Sequence, residues 1–243
     1  MAKRQSYAEA VQGRRRVARR LGFLLLFFVC YELISGLFLE SYAMKSTAMS
    51  PTVLPGDKFL ATPLAFGPRT LFGKLPGLSR PERGDIVIVE PNYARRIGVW
   101  EMLLDSFVRF VTFQLVSPAR GGSDSMFSAL TLQRVIGLPG DSIEMDDFVF
   151  KVKPAGSDQS LTEFELSSRP YDISHEDAPD SWREDLPGSG HMVAHVLAKN
   201  EYFLAGDARS SSSDSRLWGP SRIVRFRGKA LLRYWPPKRF GTP

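Results

Sequence analysis

The stretch Met44-Lys45-Ser46-Thr47-Ala48-Met49-Ser50-Pro51-Thr52-Val53-Leu54-Pro55-Gly56-Asp57 follows an apolar run and precedes the whole folded part of the chain. Short polar residues surround Met49. Pro51 stiffens the next step, and Pro55-Gly56-Asp57 is a turn signal. On its own residues the stretch reads as a strand that leaves the apolar segment and reaches a turn.

The apolar segment upstream runs from Leu21 to Leu39, and Glu32 is its one charge. A helix needs roughly 20 such residues to cross a bilayer. Glu32 would cost about 2.5–3.5 kcal/mol at the bilayer centre, which the many Leu and Phe residues offset. Residues 1–20 carry seven basic residues against Glu9, which accounts for the whole formal charge of +6. The rest of the chain is neutral, so the high pI argues for no nucleic-acid groove. A basic tail abutting an apolar run follows the positive-inside pattern and places the bulk of the chain outside the cytoplasm. Ser41-Tyr42-Ala43 would also suit cleavage of a signal peptide, but the run exceeds the usual h-region of about 7–15 residues. The expected organisation is a cytoplasmic tail over 1–20, a transmembrane anchor over 21–40 in the cytoplasmic membrane, and an outward-facing domain over 41–243.

Short strand signals recur downstream. Lys58–Thr62, Asp85–Glu90, Gln133–Gly137, Asp147–Val152, Glu201–Ala205 and Gly228–Trp235 are apolar or alternating runs bounded by Gly and Pro turns. They predict a mostly β, antiparallel fold. Insertions are expected at about 93–128 and 153–200; the second is polar and hydrophobically sparse. Ile97–Val116 is long enough for a helix, with Glu101, Asp105, Arg109 and Thr112 on one narrow stripe. Two placements stay open for it: packed on the β core, or lying on the membrane or a partner's helix. Cys30 is the single cysteine, so no disulfide forms within the chain. His175, His191 and His195 read as solvated loop residues, and no metal or cofactor is expected.

Four blocks carry a resemblance. The first is the opening stretch. The second is Arg83-Gly84-Asp85-Ile86-Val87-Ile88. The third is Arg134-Val135-Ile136-Gly137-Leu138-Pro139-Gly140-Asp141. The last, Gly206-Asp207-Ala208-Arg209-Ser210-Ser211-Ser212-Ser213-Asp214-Ser215-Arg216-Leu217-Trp218-Gly219, is followed by Gly228-Lys229-Ala230. In this order, after an apolar anchor, they resemble bacterial signal peptidase I, a serine protease family of the Ser-Lys (S26) type. The resemblance implies a signal-peptidase-like antiparallel β domain that acts on preprotein signal peptides. Its chemistry needs a serine activated by a lysine that burial keeps neutral. A further serine and a backbone N–H stabilise the oxyanion.

Transferred residue by residue, the pattern puts Ser46 in the oxyanion hole. Ser212, Asp214 and Arg216 become supporting residues, with Met44, Met49 and Leu132 lining the substrate pocket. The nucleophile position holds Ala48 and the general-base position holds Gln133. Ala208 also replaces the family's asparagine. Neither an alanine methyl nor a glutamine amide can perform the dyad chemistry. The resemblance therefore implies a membrane-anchored, catalytically silent relative that binds extended preprotein or signal-peptide segments. Membrane lipid, an active signal peptidase or the translocation machinery would be its other partners. The alternative is an active signal peptidase I, inactivated here by substitution or using a shifted nucleophile.

Overall fold

The computed structural model describes residues 7–70, 73–91, 99–112, 130–176, 182–183, 186 and 188–243. After helix α1 (Tyr7–Leu37) the strands are β1 (Glu40–Ala43), β2 (Lys58–Thr62), β3 (Arg69–Thr70), β4 (Gly73–Lys74), β5 (Ile86–Val89), β6 (Thr131–Gly137) and β7 (Ser142–Asp146). They continue as β8 (Val149–Lys153), β9 (Leu161–Thr162), β10 (Met192–Val196), β11 (Glu201–Ala205), β12 (Ser221–Arg222) and β13 (Phe226–Trp235). Three further helices are α2 (Val99–Val111), α3 (Glu163–Leu166) and α4 (Ser215–Trp218). The strands pair antiparallel into a seven-stranded sheet, β1-β2-β13-β5-β6-β11-β12, and a four-stranded sheet, β10-β7-β8-β9. β3 and β4 form a separate pair.

Three of the strands start from one device. Gly56, Gly84 and Gly140 adopt positive φ, and each is followed by an aspartate. Asp57, Asp85 and Asp141 each accept, through a carboxylate oxygen, from the amide three residues earlier: Leu54, Glu82 and Leu138, at 2.9, 3.1 and 2.8 Å. Glycine supplies the left-handed backbone and aspartate satisfies the turn. β2, β5 and β7 then begin at the next residue.

Alternation distributes the core. Every residue of β5 is buried, which explains its continuous Ile-Val-Ile-Val run. Ile86 and Ile88 face one apolar cluster with Met49, Val53 and Phe59. Val87 and Val89 face a second with Val135, Leu204 and Phe226. A third cluster joins the two large sheets through Ile136, Phe203, Ile143, Phe150 and Val152. The 153–200 stretch supplies β9 and β10, the two edges of the four-stranded sheet.

α1 runs unbroken from Tyr7 in the basic tail to Leu37 near the end of the apolar run, and its side chains are described from Gln12 to Tyr31. Leu21, Phe23, Leu24, Leu25, Leu26 and Phe27 on it are exposed. Among the described residues no helix is long and apolar enough to cross a membrane. The expected transmembrane anchor is corrected to that extent: the segment is a helix, but the fold does not establish it as a span. α2 falls within the predicted Ile97–Val116 helix, of which 97–98 and 113–116 lie outside the described residues. Its rings pack on α1, Phe110 against Phe27, Phe28 and Tyr31 at 5.9, 5.0 and 5.2 Å between centroids. Among the described residues none of its side chains joins the three core clusters.

Candidate active site

The opening stretch folds as a loop with its ends tied together. Met44 N–H donates to the Asp57 carbonyl and Gly56 N–H to the Met44 carbonyl, both at 2.8 Å. Within it, Val53 N–H reaches the Met49 carbonyl at 2.8 Å, and the Met49 and Val53 side chains are fully buried. Two arginines from the end of the chain hold its outside. Arg239 pairs with the Asp57 carboxylate at 2.7 Å, and Arg233 and Arg239 donate to the Thr52 carbonyl at 2.8 and 3.0 Å. A loop so closed holds Ala48 at a set position instead of sampling many.

At that position Ala48 N–H donates to Ser46 Oγ at 2.9 Å, and its carbonyl accepts from Ala208 N–H at 3.1 Å. The second contact brings in the loop after β11. Gly206 has to be glycine here by proximity. A Cβ on it would stand 2.1 Å from Ser212 Oγ and 2.4 Å from the Ala48 carbonyl oxygen. Ser212 and Ala48 therefore flank the same backbone atom. Gln133, on β6, is fully buried, and its Nε2 donates to the Ser213 carbonyl at 3.1 Å. Gln133 Oε1 and Ser212 Oγ are both buried with no hydrogen-bond partner.

Asp214 is fully buried and organises this loop. Its carboxylate accepts from Gly206 N–H at 3.1 Å and from Arg216 N–H at 3.1 Å, capping α4. Arg216 grips it bidentately at 2.8 and 2.7 Å. The structure thus brings Ser46, Ala48, Ser212 and Gln133 to one junction, with Asp214 and Arg216 behind it. Met44, Met49 and Leu132 share a single buried cluster beneath the loop. Met49 is sealed into it, while Met44 and Leu132 retain only a trace of exposure.

A second polar layer was not singled out from the sequence. Arg134 points away from Gln133 and grips Asp207 bidentately at 2.8 and 2.7 Å, with a further bond to the Gly84 carbonyl at 2.9 Å. The Tyr171 ring lies under its guanidinium, 3.8 Å from the charge centre to the ring centroid. Arg209 pairs with Glu163 at 2.5 Å, and the Tyr171 hydroxyl donates to the same carboxylate at 2.5 Å. Burial, and then the Glu163 carboxylate, push the Tyr171 hydroxyl far above the ordinary tyrosine range, so it stays a neutral donor. Ser174 pairs with Ala208 in a parallel bridge, and its hydroxyl reaches the Ser50 carbonyl at 3.0 Å. Arg134 and Asp207 sat in quoted boxes, and that was their only signal. Glu163, Tyr171 and Ser174 carried none, because the stretch that holds them is polar and hydrophobically sparse. Among the described residues no group of three or more His, Cys, Asp or Glu could hold a metal ion.

The family model for signal peptidase, peptidase S26, matches residues 15–235. The chain belongs to the peptidase S26 family. Among relatives, Signal peptidase IB of Staphylococcus aureus (strain Mu50 / ATCC 700699) is 23% identical over 213 residues, covering 88% of this chain and 86% of that protein. Probable signal peptidase I-2 of Synechocystis sp. is 23% identical over 203 residues, covering 83% and 66%. A signal peptidase I structure from Enterococcus faecalis V583 aligns over 63% of this chain and 98% of that one, with 16% identity and a TM-score of 0.29. The region matched to the peptidase S26 model takes in the 44–57 loop, β6 and the 206–216 loop, which together form this junction. Around the junction of this peptidase S26 chain stand two serine hydroxyls, an amide and a methyl group. They can donate and accept hydrogen bonds, but none is a base.

Proposed function

We propose that this signal peptidase I relative is catalytically silent and binds extended preprotein or signal-peptide segments at the Ala48 junction. The observation that carries the reading is Gln133. Its amide is fully buried and donates at 3.1 Å to the Ser213 carbonyl, where the resemblance places the general base. An amide has no useful basicity near neutral pH. Ala48 offers no nucleophile beside it. In a well-studied serine hydrolase, losing either partner alone costs about 10⁶ in turnover, and the losses are not additive. Meanwhile Ser46, Ser212, Asp214 and Arg216 still hold an ordered frame, which suits recognition of an extended chain by strand addition.

The exposed apolar face of α1, next to Arg14, Arg15, Arg16, Arg19 and Arg20, supports membrane anchoring with the N-terminus in the cytoplasm and the domain on the outer face. Partners of that topology are membrane lipid, preproteins, and an active signal peptidase or the translocation machinery.

Cleavage of a model preprotein in detergent, with this protein beside its Ala48→Ser/Gln133→Lys variant, tests the reading. The expected result is signal-peptide binding by both and cleavage by the variant alone. Specific cleavage by the unmodified protein would sink it and direct attention to Ser46 and Ser50 as the shifted nucleophile of an active signal peptidase I.

A further inference from the structure

α2 presents an apolar stripe outward, beside the exposed Glu101. Trp100, Leu104, Phe107 and Val111 are exposed, Trp100 at 83% and the others at 56–58%. At 100° per residue these four fall within an arc of about 60°. Asp105 lies on the far side of the helix and is only 6% exposed. A helix on a water-soluble domain buries its apolar stripe instead. Isolated exposed apolar residues need no explanation, but a continuous stripe does.

The stripe is also continuous with a second apolar surface. Phe107 and Phe110 pack edge-on against Phe28 of α1, at 6.4 and 5.0 Å, beside the exposed Leu24, Leu25, Leu26 and Val29. This contact lies about 10–16 Å along α1 beyond Arg20, within the depth of a hydrocarbon layer of about 30 Å. α2 itself spans about 20 Å, too short to cross that layer.

We infer that α2 is a membrane-embedded helix that lies against α1 in the same bilayer, with Trp100, Leu104, Phe107 and Val111 facing acyl chains. The inference rests on the anchor reading of α1. Asp105 then takes the side that intramembrane acids take, toward protein and away from lipid. The domain is held to the bilayer at two places in the sequence, before β1 and between β5 and β6.

Cys30 makes the test direct, because it is exposed on α1 and no other cysteine exists. A nitroxide on Cys30 of the full chain, reconstituted in mixed phosphatidylcholine and phosphatidylglycerol vesicles, reports α1. Leu104→Cys and Val111→Cys in a Cys30→Ser background report α2, and Val193→Cys, on the exposed β10 edge, is the aqueous reference. The expected result is a ratio of oxygen to nickel-chelate accessibility several-fold higher at 30, 104 and 111 than at 193. A lipid-like value at 30 with aqueous values at 104 and 111 overturns the α2 inference and leaves the anchor standing. An aqueous value at 30 overturns the anchor reading and this inference with it. Values at 104 and 111 that fall in both reagents as protein density rises assign the stripe to a second copy and also overturn it.

Discussion

At the scale of single residues, the candidate site depends on close approach more than on attraction. Gly206 sits where the Ser212 hydroxyl and the Ala48 carbonyl crowd the same backbone atom. Gly206→Ala should cost about 1–3 kcal/mol through overpacking. Denaturant unfolding would measure it, and an unchanged midpoint would show that the two loops do not press together there. The same substitution in the Ala48→Ser/Gln133→Lys background should reduce any restored cleavage, because it displaces Ser212. Gln133 belongs to this scale as well. It keeps one amide hydrogen bond, to Ser213, while its carbonyl oxygen and the Ser212 hydroxyl stay buried and unpaired. Buried unpaired polar atoms are costly. Two of them, Gln133 Oε1 and Ser212 Oγ, lie in the same junction.

At the scale of elements, the segment from Glu163 to Glu176 acts as a strap. It supplies the carboxylate to Arg209, the ring under Arg134 and the Ser174 bridge beside Ala208. Its Tyr171 gives a pH-dependent signature. Burial and the Glu163 carboxylate raise this hydroxyl's pKa, so the folded state keeps a proton that the unfolded state releases. The stabilisation is therefore complete below the unfolded tyrosine pKa of about 10 and is lost as pH rises beyond it. Stability should fall there by up to about 1.4 kcal/mol per pH unit from this group. Tyr171→Phe should flatten that slope while lowering stability near neutrality, where it removes the bond to Glu163. Equal slopes for the two proteins between about pH 9 and 11 would contradict the assignment. Strands Lys58–Thr62 and Glu201–Ala205 match their sequence-predicted bounds, because turn residues border them directly. β10 was not anticipated. Four of its five residues are exposed, so no alternation marks it, and pairing with β7 is what makes it a strand.

At the scale of the whole molecule, charge is concentrated at one end. The first 20 residues carry the entire net charge, and five of the arginines line α1 just before its apolar part. Replacing Arg14, Arg15, Arg16, Arg19 and Arg20 with Gln should weaken the orientation bias and yield a mixed population. Protease protection of the β domain in sealed membrane vesicles would read this, and an unchanged single orientation would count against the topology.

Local grammar was enough for the antiparallel β class, the three Gly-Asp turns and the basic tail. Each of these depends on neighbours within a few residues, where φ preference, alternation and charge act directly. The strap and the orientation of α2 could not be read that way. Glu163 becomes the partner of Arg209 across 46 residues, and no local pattern separates it from the other acids of a polar stretch. The burial of Asp105 and the exposure of Trp100 are set by tertiary packing, which on the Phe110 side of α2 is α1. A helical stripe says that two faces differ, and packing against another element chooses which of them turns outward.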